Sequence, residues 1–182
     1  MTSRTPSPEN TRSMRLKRIL IFGVLCLLLA TAQCSFFASL HICPATPDLL
    51  LGLVLTVLLL DSPYTATAVA IGAGFLCDAL GASGFFLSPL FYLAVVLMLS
   101  LPASKMLSAF PSYLLLVFPA LVLRALYTLL CIALVPGPLP EMSRIGGTLL
   151  WEALTTLLVI LPLYPIVKLC MRPLRVRSRF HF

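Results

Sequence analysis

Apolar runs occupy most of the chain, and short segments rich in turn residues separate them. There are six such runs, at about residues 19–40, 49–60, 65–80, 85–101, 113–135 and 145–169. Hydrophobic residues make up 60% of the 182 residues and charged residues only 10%, far from the composition of a soluble domain. We therefore expect an all-α, polytopic integral membrane protein, a compact bundle of six transmembrane helices.

The first apolar run has the layout of a secretory signal peptide, with a basic head, "MRLKR", and an Ala30-Thr31-Ala32 triplet. The apolar region of a signal peptide ends at its cleavage site, whereas here apolar sequence resumes after Ala32 in "CSFFASL". At about 1.5 Å per residue, residues 19–40 are long enough to cross a hydrocarbon core of ~30 Å. We expect a retained helix, with cleavage after Ala32 as the alternative.

Basic residues concentrate at both ends of the chain. Five of the 13 Lys and Arg precede Ile19, and five lie from Lys168 onward. Six spans place both termini on one side of the membrane, and the positive-inside tendency makes that side the cytoplasm. The outer loops then keep only Arg144, with Asp48 and Glu141. The expected topology is therefore N-in/C-in.

This topology divides the chain into three parts. Residues 1–18 are expected to form a basic, disordered cytoplasmic tail, residues 19–170 the transmembrane domain, and residues 171–182 a basic cytoplasmic tail. The net charge of +7 lies in the two tails, which favours an anionic lipid surface over a nucleic acid as the partner.

Asp78, Arg124 and Glu152 lie inside the expected spans, where an unpaired ionisable group costs several kcal/mol. Arg124 has the length to pair with Glu152, with Asp78 or with both. Small or hydroxyl residues share their helix faces at a spacing of four: Ala66, Ala70, Gly74, Ala120, Thr128, Thr148 and Thr156. The three charges are expected to converge as an ion-paired structural staple. A small-molecule or proton site and a contact with a partner's transmembrane segment remain alternatives.

Nothing in the sequence indicates catalysis, a cofactor or a metal. The six cysteines are scattered singly among apolar residues, without metal-ligand spacing. Gly81-Ala82-Ser83-Gly84 resembles the GxSG of rhomboid intramembrane proteases, but His41 and His181 lie outside the spans and neither is placed as a base for Ser83. A tight turn is the expected role of this segment.

Prolines and cap residues mark the ends of the helices. Asp61-Ser62-Pro63 is expected to separate the second and third helices, with Asp61 or Ser62 as the cap and Pro63 in the first turn. Pro119 is expected to kink the fifth helix, and Pro162 and Pro165 to interrupt the sixth.

Three short segments carry a family resemblance. Gln33 closes the first helix, "PDLLL" opens the second, and "GFLCDALGASG" closes the third. In this order and spacing the chain resembles the MreD family of bacterial rod shape-determining proteins, over about residues 14–172. The family residues that carry over are Gln33, Pro47, Asp48, Gly74, Asp78, Gly81 and Gly84. Gly84 follows Asp78 by six residues, a shorter turn than the family's.

The resemblance implies a non-catalytic scaffold in the bacterial inner membrane. MreD-like proteins bind the bitopic protein MreC and through it the actin-like MreB, the glycosyltransferase RodA and a class B penicillin-binding protein. In this elongasome they help to position lateral peptidoglycan synthesis and so maintain rod cell shape.

A second family has the same helix count and about the same length. The substrate-binding S components of energy-coupling-factor vitamin transporters are six-helix membrane proteins that MreD resembles in architecture. In such a protein Asp78, Arg124 and Glu152 would line a vitamin pocket.

Overall fold

The computed structural model describes residues 8–37, 46–81, 87–106, 109–134 and 142–171. In these ranges the chain forms six α-helices and no β-strand. The helices are α1 (Pro8–Thr31, continued by a π-helical segment, Ala32–Phe37), α2 (Leu49–Leu60), α3 (Pro63–Leu80), α4 (Ser88–Ser104), α5 (Phe110–Leu134) and α6 (Met142–Met171). The expected all-α class is confirmed, and each helix overlaps one of the six apolar runs.

The helices differ in how far they can reach across a membrane. Among the described residues, three stretches are long and apolar enough to cross one, namely Pro63–Leu80, Phe110–Leu134 and Ile145–Cys170. The apolar stretches of α1, α2 and α4 are shorter. With 12 residues, α2 covers about 18 Å of the ~30 Å hydrocarbon core. These features make the chain a membrane protein whose helices are of unequal length.

The short helix α2 is the centre of the bundle. Its sequence, "LLLGLVLTVLLL", is apolar on all sides, and every residue from Leu49 to Leu59 is buried. It contacts each of the other five helices, which follow one another around it in the order α1, α3, α4, α5, α6. A Cβ atom on Gly52 would lie 2.7 Å from Cγ1 of Ile160, so this glycine permits the close approach of α2 and α6.

Hydrogen bonds between helix ends fix the directions of the first four helices. Gln33, at the end of α1, accepts a hydrogen bond from the N–H of Leu49, at the start of α2. Asp78, near the end of α3, accepts one from the N–H of Ser88, at the start of α4. The Tyr92 hydroxyl of α4 reaches Asp48, directly before α2. The ends of α1 and α3 therefore lie level with the starts of α2 and α4.

Contacts of Tyr113 and Arg124 fix the directions of α5 and α6 in the same way. The Tyr113 hydroxyl, near the start of α5, donates to the carbonyl oxygens of Gly52 and Ile160, at 3.3 and 3.4 Å. Further along α5, Arg124 reaches Asp48. α5 therefore runs antiparallel to α2 and α6 parallel to it. Successive helices alternate in direction, so α1 begins on the side of the bundle where α6 ends.

Two expectations about helix boundaries are wrong. α1 begins at Pro8, so residues 8–18 of the expected disordered tail are helical, with proline and Glu9 in the first turn, where both are favoured. α6 continues past Pro162 and Pro165, whose exposed positions leave the rings outside the core. Residues 1–7 and 172–182 lie outside the described ranges. As expected, Ser62 caps α3, with its hydroxyl accepting from the Thr65 N–H.

The backbones of α3 and α4 approach each other closely at Gly74, where a Cβ atom would lie 2.3 Å from Cα of Pro89. We expect Gly74→Ala to lower the free energy of unfolding by about 1–3 kcal/mol, because the backbones of α3 and α4 must move apart to admit the methyl group. Gly72 on the same helix is the control, since its Cβ would meet nothing within 4 Å. Gly72→Ala should be neutral or stabilising by up to ~1 kcal/mol. Thermal unfolding in detergent measures both, and equal midpoints would contradict the contact.

Candidate functional site

The charged residues of the bundle meet at the guanidinium of Arg124. Its Nε donates to Oε1 of Glu152 at 2.8 Å, and its Nη1 lies 3.3 Å from Oδ2 of Asp48. The side chains of Asp48, Glu152 and Arg124 are 0%, 10% and 19% exposed. The expected pairing of Arg124 with Glu152 is therefore present. The second carboxylate is that of Asp48, and the described residues show no ion pair between Arg124 and Asp78.

Asp48 links the ion pair to the start of α2. Its Oδ1 accepts hydrogen bonds from the Leu51 N–H at 2.9 Å and from the Tyr92 hydroxyl at 2.8 Å. Its own N–H donates to Oγ1 of Thr156 on α6. Asp48 lies in the connection between α1 and α2, as expected, but it is fully buried there, because the free N–H groups at the start of a buried helix need an acceptor.

Gln33 completes the cap of α2. It lies in the π-helical segment after α1, is 7% exposed, and accepts with Oε1 from the N–H groups of Leu49 and Leu50, at 3.0 and 3.3 Å. Together with Asp48 it satisfies three N–H groups that have no partner within the helix. The Asp48 carboxylate also complements the positive end of the helix dipole. Two residues that the family resemblance selects therefore act on the same helix end.

Aromatic rings enclose the other side of the Arg124 guanidinium. Its Cζ lies 5.5 Å from the ring centroids of both Phe91 and Tyr127, which stack on each other at 4.6 Å. A cation near such ring faces is stabilised by ~0.5–2 kcal/mol. Thr128 holds the second oxygen of Glu152 at 3.3 Å. Arg124 is therefore surrounded by partners from α4, α5 and α6 and by Asp48, directly before α2.

Asp78 belongs to a neighbouring contact rather than to the ion pair. It is 5% exposed, and its Oδ2 accepts from the Ser88 N–H at 3.3 Å, at the start of α4. The Ser88 hydroxyl lies 3.4 Å from the hydroxyl of Tyr127, whose ring contacts Arg124. The carboxylate thus caps α4 and is linked to the charge network through two hydroxyl groups.

The remaining predicted residues serve packing and helix ends. Pro47 is buried directly before Asp48. Ala66, Ala70 and Gly74 are buried on the face of α3 that leads to Asp78. The Gly81 N–H donates to the carbonyl of Cys77 and closes α3, with φ at −83°, a value that any residue adopts. Gly84 and Ser83 lie outside the described residues.

Three residues of the network were not expected from the sequence: Phe91, Tyr92 and Tyr127. Each is an aromatic residue inside an apolar run, and lipid-facing and core aromatic residues show the same pattern, so the sequence does not distinguish them. A signal does exist for Tyr92, because a buried tyrosine hydroxyl requires a partner. That signal appears only once burial is known.

The space beside the ion pair is small. A cavity of about 10 Å³ lies against Arg124, Glu152 and Thr156, with apolar side chains of α5 and α6 as its other walls. This volume holds a single water molecule. In the described part of the chain, Arg124 is thus paired with Asp48 and Glu152 beside a cavity too small for a ligand, while Oδ2 of Asp48 and Oδ1 of Asp78 are buried without a hydrogen-bond donor.

Comparisons with protein-family models, with curated proteins and with solved structures each returned no match to the chain. The resemblance to the MreD family therefore stays a prediction from residue patterns.

The ion pair predicts a specific pattern of stabilities. Arg124→Leu should lower the free energy of unfolding by about 3–5 kcal/mol, because it leaves buried carboxylates without their cation. Adding Glu152→Gln should recover part of this loss, with a coupling energy above ~1 kcal/mol in a double-mutant cycle measured by unfolding in detergent.

Asp78 supplies the matched control for that cycle, since it is buried but has no ion pair with Arg124 in the described residues. Arg124→Leu and Asp78→Asn should lower the free energy of unfolding by nearly additive amounts. A cycle in which Glu152 is additive and Asp78 is coupled would show that the carboxylates are assigned to the wrong partners.

Proposed function

We propose that the protein is a non-catalytic scaffold of the bacterial elongasome in the inner membrane, similar to MreD. In this role it binds an MreC-like bitopic protein and thereby MreB, RodA and a class B penicillin-binding protein. Its activity is to help position lateral peptidoglycan synthesis. The observation that carries the proposal is the self-contained network of Arg124, Asp48 and Glu152, which ties helices together and faces a cavity of about 10 Å³.

A scaffold also needs surface for its partners, and α5 and α6 have it. In α5, residues 121–134 include no buried side chain, and the same holds for residues 145–151 of α6. These half-helices extend about 15 Å beyond Arg124 and Glu152, past the level at which α2 begins. Leu126, Leu130 and Leu150 are exposed there and offer apolar contact to another transmembrane helix.

The proposed function includes a topology of six spans with both termini in the cytoplasm. The alternating helix directions and the positive-inside tendency support this orientation. It places the polar residues Gln33, Asp48 and Asp78 toward the outer leaflet. The unburied halves of α5 and α6 then lie on the periplasmic side, where a bitopic partner with a periplasmic domain would enter the membrane.

Labelling of single cysteines tests the orientation. In variants that keep only Cys43, between α1 and α2, or only Cys170, at the end of α6, a membrane-impermeant maleimide should label Cys43 in intact cells. Cys170 should react only after permeabilisation, because it follows an even number of crossings. The reverse pattern would place both termini outside and contradict the topology.

Identification of bound partners tests the function. The tagged protein, purified from native membranes in a mild detergent, should carry an MreC-like protein together with RodA or the transpeptidase, as measured by mass spectrometry. A photo-crosslinking residue at Leu150 should trap the bitopic protein, whereas one at Leu97, equally exposed on α4, should not. Enrichment of a coupling subunit with paired ATPases would instead show an S component of a vitamin transporter.

A further inference from the structure

An apolar groove runs between α1 and α3 on the outside of the bundle. It has a volume of about 220 Å³ and is lined by Ile19, Gly23 and Cys26 of α1 and by Thr65, Gly72 and Leu76 of α3, among others. Both glycines face open space, since a Cβ atom on either would meet nothing within 4 Å. The missing side chains therefore create the groove.

The groove has the length of one leaflet. From Thr65 to Leu76 it extends about 17 Å along α3, close to half of a ~30 Å hydrocarbon core. Because α1 and α3 run in the same direction, Ile19 and Thr65 lie at the same end. Thr65 bonds there to the hydroxyl of Ser62 at 2.6 Å, so the groove is apolar along its length and polar at this mouth.

Residues at the mouth match the headgroup level of a membrane. Tyr64, next to Thr65, is 89% exposed, as is typical of a tyrosine at the lipid–water interface. The helical turn of α1 that precedes Ile19 contains Arg15, Lys17 and Arg18. Two of them, Arg15 and Arg18, stand four residues before the groove residues Ile19 and Phe22 in the sequence.

We propose that this groove binds one anionic phospholipid, with an acyl chain lying along Gly23 and Gly72 and the phosphate group at the basic turn of α1. The apolar lining, the leaflet-length extent and the positive charge at one end each match one part of such a lipid. In the orientation proposed above, the lipid lies in the cytoplasmic leaflet. The proposal does not depend on the scaffold function.

Native mass spectrometry of the full chain in mild detergent tests this site, with phosphatidylglycerol and phosphatidylcholine as probes. The wild-type protein should retain one phosphatidylglycerol at least fivefold more than phosphatidylcholine. Gly72→Leu fills the groove from a position where a Cβ atom meets nothing within 4 Å, and it should reduce phosphatidylglycerol retention at least fivefold. Gly23→Leu fills it from the other wall and should do the same, so the test does not depend on one variant folding.

The control is Gly147→Leu on α6, where the glycine also has nothing within 4 Å of its Cβ but lies outside the groove. It should retain the lipid as the wild type does. Arg15→Gln combined with Arg18→Gln should abolish the preference for phosphatidylglycerol while leaving lipid bound. Wild-type retention by folded Gly72→Leu or Gly23→Leu protein, or equal retention of both lipids by the wild type, would overturn the proposal.

Discussion

The carboxylate of Asp48 contacts two groups that an apolar bundle cannot otherwise hold, the guanidinium of Arg124 and the free N–H groups at the start of α2. Either group alone in this environment would cost several kcal/mol. Gln33 adds a second acceptor for α2, and Glu152 a second anion for Arg124. Because these partners come from different helices, satisfying the two groups also sets the positions of α1, α5 and α6 around α2.

This constraint explains why the centre of the bundle is its shortest helix. α2 is apolar on every side, which suits protein or lipid neighbours alike, whereas its first N–H groups need polar partners at membrane depth. A start inside the bundle, at the level of Arg124, supplies those partners. The ends of α1 and α3 and the start of α4 lie at the same level, while α5 and α6 continue beyond it without a covering helix.

Sequence patterns predict the local structure well and the lateral arrangement poorly. The helices, the break at Asp61-Ser62-Pro63 and the pairing of Arg124 with Glu152 follow from apolar length, capping chemistry and the cost of a buried charge. The pairing of Asp48 with Arg124 does not follow, because a charged residue before an apolar helix usually marks the membrane surface. Periodicity also does not reveal which helices are neighbours. The sequence therefore gives no indication that Phe91 and Tyr127 contact Arg124.

The same arrangement separates the two surfaces to which we assign ligands. The groove between α1 and α3 lies toward the starts of those helices, whereas the uncovered parts of α5 and α6 lie at the other end of the bundle. In the order of helices around α2, α4 stands between α3 and α5. A lipid in the groove therefore does not occupy the surface offered to a partner helix. Filling the groove at Gly72 should leave partner binding intact, and the two proposals can fail independently.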